Sequence, residues 1–238
     1  LSFTHRLGMR QVGAFDLAAA CSGFNYGLTT AVQYIKSGLA KHILVVATDC
    51  LSRYVDQDDR SIAVLFGDGA GAAVLGQVDE GYGIISSQLC ADGSHADILK
   101  IEGGGSRNRF SEDVLSSQSH LIHMDGKSVF KVAVNCIMTQ IQNDLEQNQL
   151  NKDDIDWYIF HQANFRIIHS VCEKFGIPEE KTINTLHKYG NTSAASIPIV
   201  LTEAQTEKKF KKGQLIYTIG FGAGFTWASN IMKWSKDS

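Results

Sequence analysis

Residues 12–36 read VGAFDLAAACSGFNYGLTTAVQYIK, and the order of side chains in this stretch decides the fold. Val12 to Ala20 is a small, apolar run of the kind expected for a buried strand and turn. From Asn25 to Lys36 the apolar residues Leu28, Ala31, Val32 and Ile35 recur at helical spacing, and Gly38 closes the helix. Cys21 stands at the junction. A thiol in the first turn of a helix feels unpaired N–H groups and the positive end of the helix dipole, and both favour the thiolate. Its small neighbours leave room for a substrate. The competing reading is inert packing, because free cysteine is among the most buried residue types.

Outward from this stretch, strands and helices alternate. His42 to Thr48 is a β-branched apolar run and reads as a buried strand; Ala72 to Val78 and Gly83 to Leu89 read as two more. Residues 102–120, with Gly103-Gly104-Gly105, are expected to form a long surface loop. Lys127 to Gln147 is a long amphipathic helix, and Asp156 to Phe160 a strand delivering His161. Helices are expected over Arg166 to Phe175 and Ala194 to Phe210, and strands over Leu215 to Gly220 and Thr226 to Lys233. The alternation predicts a layered α/β fold.

The chain has 238 residues, 44% hydrophobic and 20% charged, enough for one large α/β domain or two small ones. A net charge of −3 argues against general nucleic-acid binding. Cys21, Cys50, Cys90, Cys136 and Cys172 are scattered without CxxC spacing, which points away from a disulfide framework or zinc site and towards a reducing compartment. No apolar stretch approaches a membrane span and no signal-peptide pattern opens the chain, so a cytoplasmic location is expected. The opening Leu1-Ser2-Phe3-Thr4 reads like the middle of a protein.

Three further segments could carry chemistry. His161 ends the run Trp157-Tyr158-Ile159-Phe160, and α/β proteins place ligands at the carboxyl ends of strands; alone, it is equally a buried histidine bonded to backbone. Asn191, in Tyr189-Gly190-Asn191-Thr192-Ser193, also fits an ordinary helix cap. The Gly220-Phe221-Gly222-Ala223-Gly224 loop leaves backbone N–H groups uncovered and suits either an oxyanion or a tight turn. Gly67-Asp68-Gly69-Ala70-Gly71 matches neither phosphate-binding glycine pattern. Cys, His and Asn in that order suggest nucleophilic acyl transfer. Papain-like cysteine proteases share the order, but their CGSC[WY] signature is absent.

AFDLAAACSGF (14–24), LFGDGAGAAVL (65–75), HQANFRI (161–167), YGNTSAASIP (189–198) and GFGAGFTW (220–227) resemble the β-ketoacyl-ACP synthase III family of initiating condensing enzymes. The resemblance implies a thiolase-like, five-layered αβαβα fold of two similar halves, residues 1–80 with the nucleophile and 81–238 with His and Asn. It implies a homodimer, and a first half lacking about the first quarter of the family's length. It makes Cys21 the residue acylated by acyl-CoA, and His161 and Asn191 the holders of the malonyl-ACP thioester during decarboxylation. The backbone N–H groups of Cys21 and Ala223 would stabilise the condensation oxyanion, and Phe221 would crowd the departing carboxylate. Asn164 and the Gly126 backbone would hold the pantetheine arm, Arg60 the nucleotide end of CoA, Phe66 the acyl pocket and Arg166 the acyl carrier protein. No cofactor or metal, nucleic acid or membrane is implied. A non-catalytic fragment or pseudoenzyme of the same fold, and a Cys-His-Asn acyl hydrolase, are the alternative readings.

Overall fold

The computed structural model describes residues 2–236. In chain order the elements are α1 (Ser2–Arg6), α2 (Gly23–Lys36), β1 (His42–Cys50), α3 (Arg60–Ala63), β2 (Asp68–Gly76), β3 (Gly83–Ala91), β4 (Leu99–Ile101), α4 (Glu112–Ser116), β5 (Ile122–Met124), α5 (Gly126–Gln147), β6 (Trp157–Phe160), α6 (Phe165–Phe175), α7 (Leu186–Tyr189), α8 (Ser196–Thr206), β7 (Leu215–Gly222) and β8 (Thr226–Lys233). Short 3₁₀ turns at Ala20–Ser22 and Ser193–Ala195 lead into α2 and α8.

β1 and β2 form an antiparallel pair, and a four-stranded sheet runs in the order β3-β8-β7-β6, with β6 parallel to β7. The short β4–β5 pair stands apart. Helices α2 and α8 lie between the two sheets, because each has apolar residues to bury on both sides. Phe24 and Leu28 of α2 and Ile197, Val200 and Ala204 of α8 share one core with Ala47, Ile159 and Ile216. Helices α5 and α6 cover the other face of the four-stranded sheet through Ile137, Ile141, Ile167 and Val171. Ile137, Ile141 and Val171 are wholly buried, and each such side chain contributes about 1.5–3 kcal/mol.

Polar anchors fix the layers. Asn25 of α2 is fully buried, and its Nδ2 donates to the carbonyls of Thr218 (3.2 Å) and Ala228 (2.8 Å). On the opposite face, the buried carboxylate of Asp144 accepts from Gln140 Nε2 at 2.8 Å, Tyr217 OH at 2.7 Å and Ser229 Oγ at 2.6 Å. Gln140 Oε1 in turn accepts from Trp227 Nε1 at 2.9 Å. One carboxylate thereby ties α5 to β7 and β8, and both of its oxygens are hydrogen-bonded.

The structure corrects four boundaries. Val12 to Ala19 forms no strand, because no neighbouring strand among the described residues accepts its backbone groups, and Phe15 stays 64% exposed. Gly69 and Gly71, outside the strand expected to begin at Ala72, lie within β2, since the strand passes hard against the start of α8: a Cβ on Gly71 would sit 2.7 Å from Pro198. The loop at 102–120 contains the single-turn helix α4, capped by Ser111. Helix α8 is shorter than expected and is preceded by a 3₁₀ turn in which Ser193 has φ +52°.

Candidate active site

Cys21 occupies the middle of the Ala20–Ser22 turn, directly before α2, and is 8% exposed. Ala20 reaches φ +46°, so the chain reverses sharply to place the thiol at the head of the helix. β7 presses its glycine end against this turn. A Cβ on Gly222 would lie 2.7 Å from the Cys21 N, 2.9 Å from its Cβ and 3.1 Å from its Sγ, so only glycine permits this approach. Thr226 ties the two segments: its hydroxyl donates to the carbonyl of Ala19 (3.0 Å) or Ala223 (3.2 Å) and lies 2.9 Å from Ser22 Oγ. Burial pushes the Cys21 thiol up to about 11; a hydrogen bond from Ser193 acts in the opposite direction.

His161 follows β6 and is 1% exposed. The ring of Phe221 meets it edge-on, with centroids 5.2 Å apart. Burial lowers its pKa to about 3, so the imidazole is neutral. Its Nδ1 is 2.7 Å from Ser196 Oγ, and that oxygen also accepts the backbone N–H of Gln162 at 3.2 Å. With the Ser196 hydroxyl donating to Nδ1, the imidazole proton lies on Nε2. Neutral and bonded through Nδ1 to Ser196, the ring keeps Nε2 as its second hydrogen-bonding atom.

Asn191 is held by its backbone between Leu65 and Gly67, accepting from Gly67 N at 2.9 Å and donating to Leu65 O at 2.8 Å. Its side-chain Oδ1 accepts from Ser193 N at 2.8 Å, so the capping reading describes a bond that is present. With Oδ1 occupied, the Nδ2 amide is the donating end. Ser193 then completes the link, its Oγ lying 3.4 Å from Cys21 Sγ. The turns carrying Cys21, Ser193 and Ser196 and the end of β7 thus converge on one point.

The remaining residues singled out from the sequence are placed as follows. Ala223 is half-buried in the turn after β7, and Phe221 is buried and stacked on Phe225. Phe66 pairs through a backbone bridge with Asn191 and packs beside Val55, Ile62 and Ile122. Gly126 opens α5, where Asp125 caps the backbone of Lys127 and Ser128. Asn164 caps α6 by accepting from Arg166 N at 2.9 Å, and Arg166 is exposed on its first turn. Arg60 begins α3 and is exposed, apart from the cluster around Cys21 in the bonds described above. Sequence reasoning missed Ser193, Ser196 and Asp49. Ser193 and Ser196 lay inside a segment that capping alone explained, and Asp49 is an ordinary aspartate near the end of a strand.

The β-ketoacyl-[acyl carrier protein] synthase III of Thermus thermophilus superposes with a TM-score of 0.88 at 38% identity, covering 98% of this chain and 71% of that one. The corresponding enzyme of Pseudomonas aeruginosa superposes at 0.90 and 34%, covering all of this chain and 72% of that one. With two central helices between two sheets and a cysteine at the head of one, the molecule is a thiolase-like condensing enzyme. Residues 15–93 match the family 3-oxoacyl-[acyl-carrier-protein (ACP)] synthase III, and residues 145–234 its C-terminal counterpart. The chain is 44% identical over 229 residues to β-ketoacyl-[acyl-carrier-protein] synthase III of Clostridioides difficile, covering 96% of this chain and 70% of that protein. The chain belongs to the β-ketoacyl-ACP synthase III family, and its activity is that of an acyltransferase, the condensing enzyme that initiates fatty-acid synthesis.

Proposed function

We propose that Cys21 accepts the acyl group from acyl-CoA and that His161 and Asn191 act on malonyl-ACP. The observation supporting this reading is that neutral His161 is bonded at Nδ1 to Ser196 and Asn191 Oδ1 accepts from Ser193 N, which leaves Nε2 and Nδ2 to serve as the donor pair. Loss of CO2 from a malonyl thioester puts negative charge on the thioester oxygen, and two fixed donors lower that barrier as the charge develops. The resulting carbanion attacks the acyl thioester on Cys21. The second oxyanion then meets the N–H groups of Cys21 and Ala223, whose segments are brought together by the Gly222 contact and the Thr226 bonds. Phe221, edge-on to His161, crowds the carboxylate and favours its departure. The step draws on the thioesters themselves and needs no added cofactor.

Asn164 and the Gly126 backbone stand at helix starts suited to the pantetheine arm. Exposed Arg60 suits the CoA phosphates, and exposed Arg166 the acidic carrier protein. Phe66 belongs to the acyl pocket. Residues 1–80 and 81–238 are the two halves of the fold, and the working unit is a homodimer. Exposed Phe15 and Val12 support further apolar cover for that half. Among the described residues no helix is long and apolar enough to cross a membrane; the site of action is the cytoplasm.

Intact mass before and after acyl-CoA tests the reading. It requires one acyl group on Cys21 and malonyl-dependent release of CO2. Release of free acid without malonyl-ACP would make the protein a hydrolase instead.

A further inference from the structure

A cavity of about 930 Å³ opens between α2, α8, the end of β2 and the end of β8. None of Cys21, His161, Asn191 and Phe66 lines it. It has the size and the mostly apolar wall of a small-molecule site. Leu28, Val32 and Ile35 recur at helical spacing along the α2 side, and Leu201 stands on the α8 side. β2 contributes Ala72, Ala73 and Gly76, whose small side chains leave the volume unfilled. Phe24 and Lys36 both lie on the wall, and the stretch of α2 between them is about 18 Å long. A long alkyl chain spans that distance and a short acyl group does not.

The polar part of the wall is mainly basic. Lys36, His42, Lys233 and Lys236 line the cavity against two carboxylates, Asp79 and Glu80, and among the described residues none of the six is in a salt bridge. Tyr82, also on the wall, gathers a further cation: Lys233 Nζ lies 5.5 Å and Lys212 Nζ 5.4 Å from its ring centroid. Two ammonium groups therefore meet at one ring with no carboxylate bonded to either. Next to Lys233 in sequence, Trp234 packs its ring on Phe210, with centroids 5.1 Å apart. Its Nε1 is the one buried side-chain donor without a partner among the described residues. An indole N–H can only donate, so an acceptor is what this wall lacks.

We propose that the cavity binds a long-chain fatty acid, with its alkyl chain along Leu28 and Val32 and its carboxylate at Lys233 and Trp234. An apolar groove ending in unpaired cations complements an anionic amphiphile, and it opposes a cationic one. Each methylene buried strengthens binding about fourfold. The chain belongs to a family that initiates fatty-acid synthesis, so the ligand is of the class in which that synthesis ends. The assignment stands whether or not Cys21 is the acylated residue.

Calorimetric titration of the full-length protein with palmitate, octanoate and hexadecanol tests the site. The proposal requires saturable binding of one palmitate per chain and binding of octanoate at least 100-fold weaker. Hexadecanol, which keeps the chain and lacks the charge, must bind about 10-fold more weakly than palmitate. Lys36→Glu combined with Lys233→Glu must weaken palmitate about 10-fold while leaving hexadecanol unchanged, since exposed charge pairs contribute up to about fivefold each. Trp234→Phe keeps an aromatic ring, removes the donor and must weaken palmitate as well. Acylation of Cys21 by acetyl-CoA, unchanged in the lysine variant, shows that it is folded. Protein alkylated at Cys21 by iodoacetamide must still bind palmitate. Binding that is lost on alkylation and unmoved by the lysine substitutions places palmitate at the Cys21 site and overturns the proposal. Failure of palmitate to bind full-length protein overturns it too, as does equal affinity for palmitate and hexadecanol.

Discussion

Replacing Gly222 by alanine tests how tightly the end of β7 is fitted to the nucleophile. The added methyl carbon would stand 2.7 Å from the Cys21 N and 2.9 Å from its Cβ, whereas comfortable contact needs about 3.5–4.0 Å. Neither neighbour can rotate away, so the strand and the Cys21 turn must separate by nearly 1 Å. Overpacking of this kind costs about 1–3 kcal/mol. For a chain of this size that lowers Tm by roughly 2–12 °C. The larger effect is on chemistry, because a 1 Å misplacement of reacting groups costs about 100-fold in rate. Thermal melting and acylation by acyl-CoA, followed by intact mass, measure both. Gly105→Ala is the control, since nothing lies within 4 Å of a Cβ there. A Gly222→Ala protein with wild-type Tm and wild-type acylation would show that the two segments are not in the contact described.

Cys21→Ser is expected to abolish the acyl-enzyme, and retained labelling by acyl-CoA at any site would reassign the nucleophile. His161→Ala and Asn191→Ala are expected to acylate but to lose malonyl-dependent CO2 release by about 100-fold or more; undiminished release in both would remove the donor pair from the mechanism. Asp144→Ala strands Tyr217, Ser229 and Gln140, at about 1–3 kcal/mol for each unsatisfied group, and a Tm unchanged by the substitution would contradict the anchoring role. Folded His161 stays neutral down to about pH 3, while an unfolded histidine takes a proton below 6.5. The unfolded chain thus binds more protons in that window, and stability falls as pH drops through 6.5 towards 3. Between pH 7.5 and 5 the wild type should lose about 2 kcal/mol relative to His161→Gln, and a constant difference in unfolding free energy between the two would refute the neutral state.

The sequence was most legible where the chain's own pattern had one solution. Helices α2, α5 and α6 appear within two residues of their expected bounds because their apolar periodicity is local. Val12 to Ala19 was misread because a strand requires a partner, and composition says nothing about whether one is in reach. Gly69 and Gly71 were misread for a related reason: their role is set by Pro198 and Thr192, more than a hundred residues away. Cys21, His161 and Asn191 stood out because each interrupts or follows an apolar run with a reactive group. Ser193, Ser196 and Asp49 did not, since serines near a helix start and an aspartate near a strand end are ordinary by themselves. Ser193 lies against Cys21 Sγ, Ser196 against His161 Nδ1, and Asp49 accepts from Ala194 N, contacts that only folding brings about.

The two 3₁₀ turns have a joint effect that neither has singly. One opens α2 and the other α8, and Ser193 of the second touches Cys21 of the first. The 14-residue and 11-residue helices therefore aim their amino ends at the same small volume, each carrying about half a positive charge of backbone origin. The charge formed in the proposed reaction is negative at every stage: thiolate, then enolate, then tetrahedral oxyanion, then thiolate again. A field built from fixed peptide dipoles needs no rearrangement between these stages, so one piece of architecture serves two chemically different half-reactions without resetting between them.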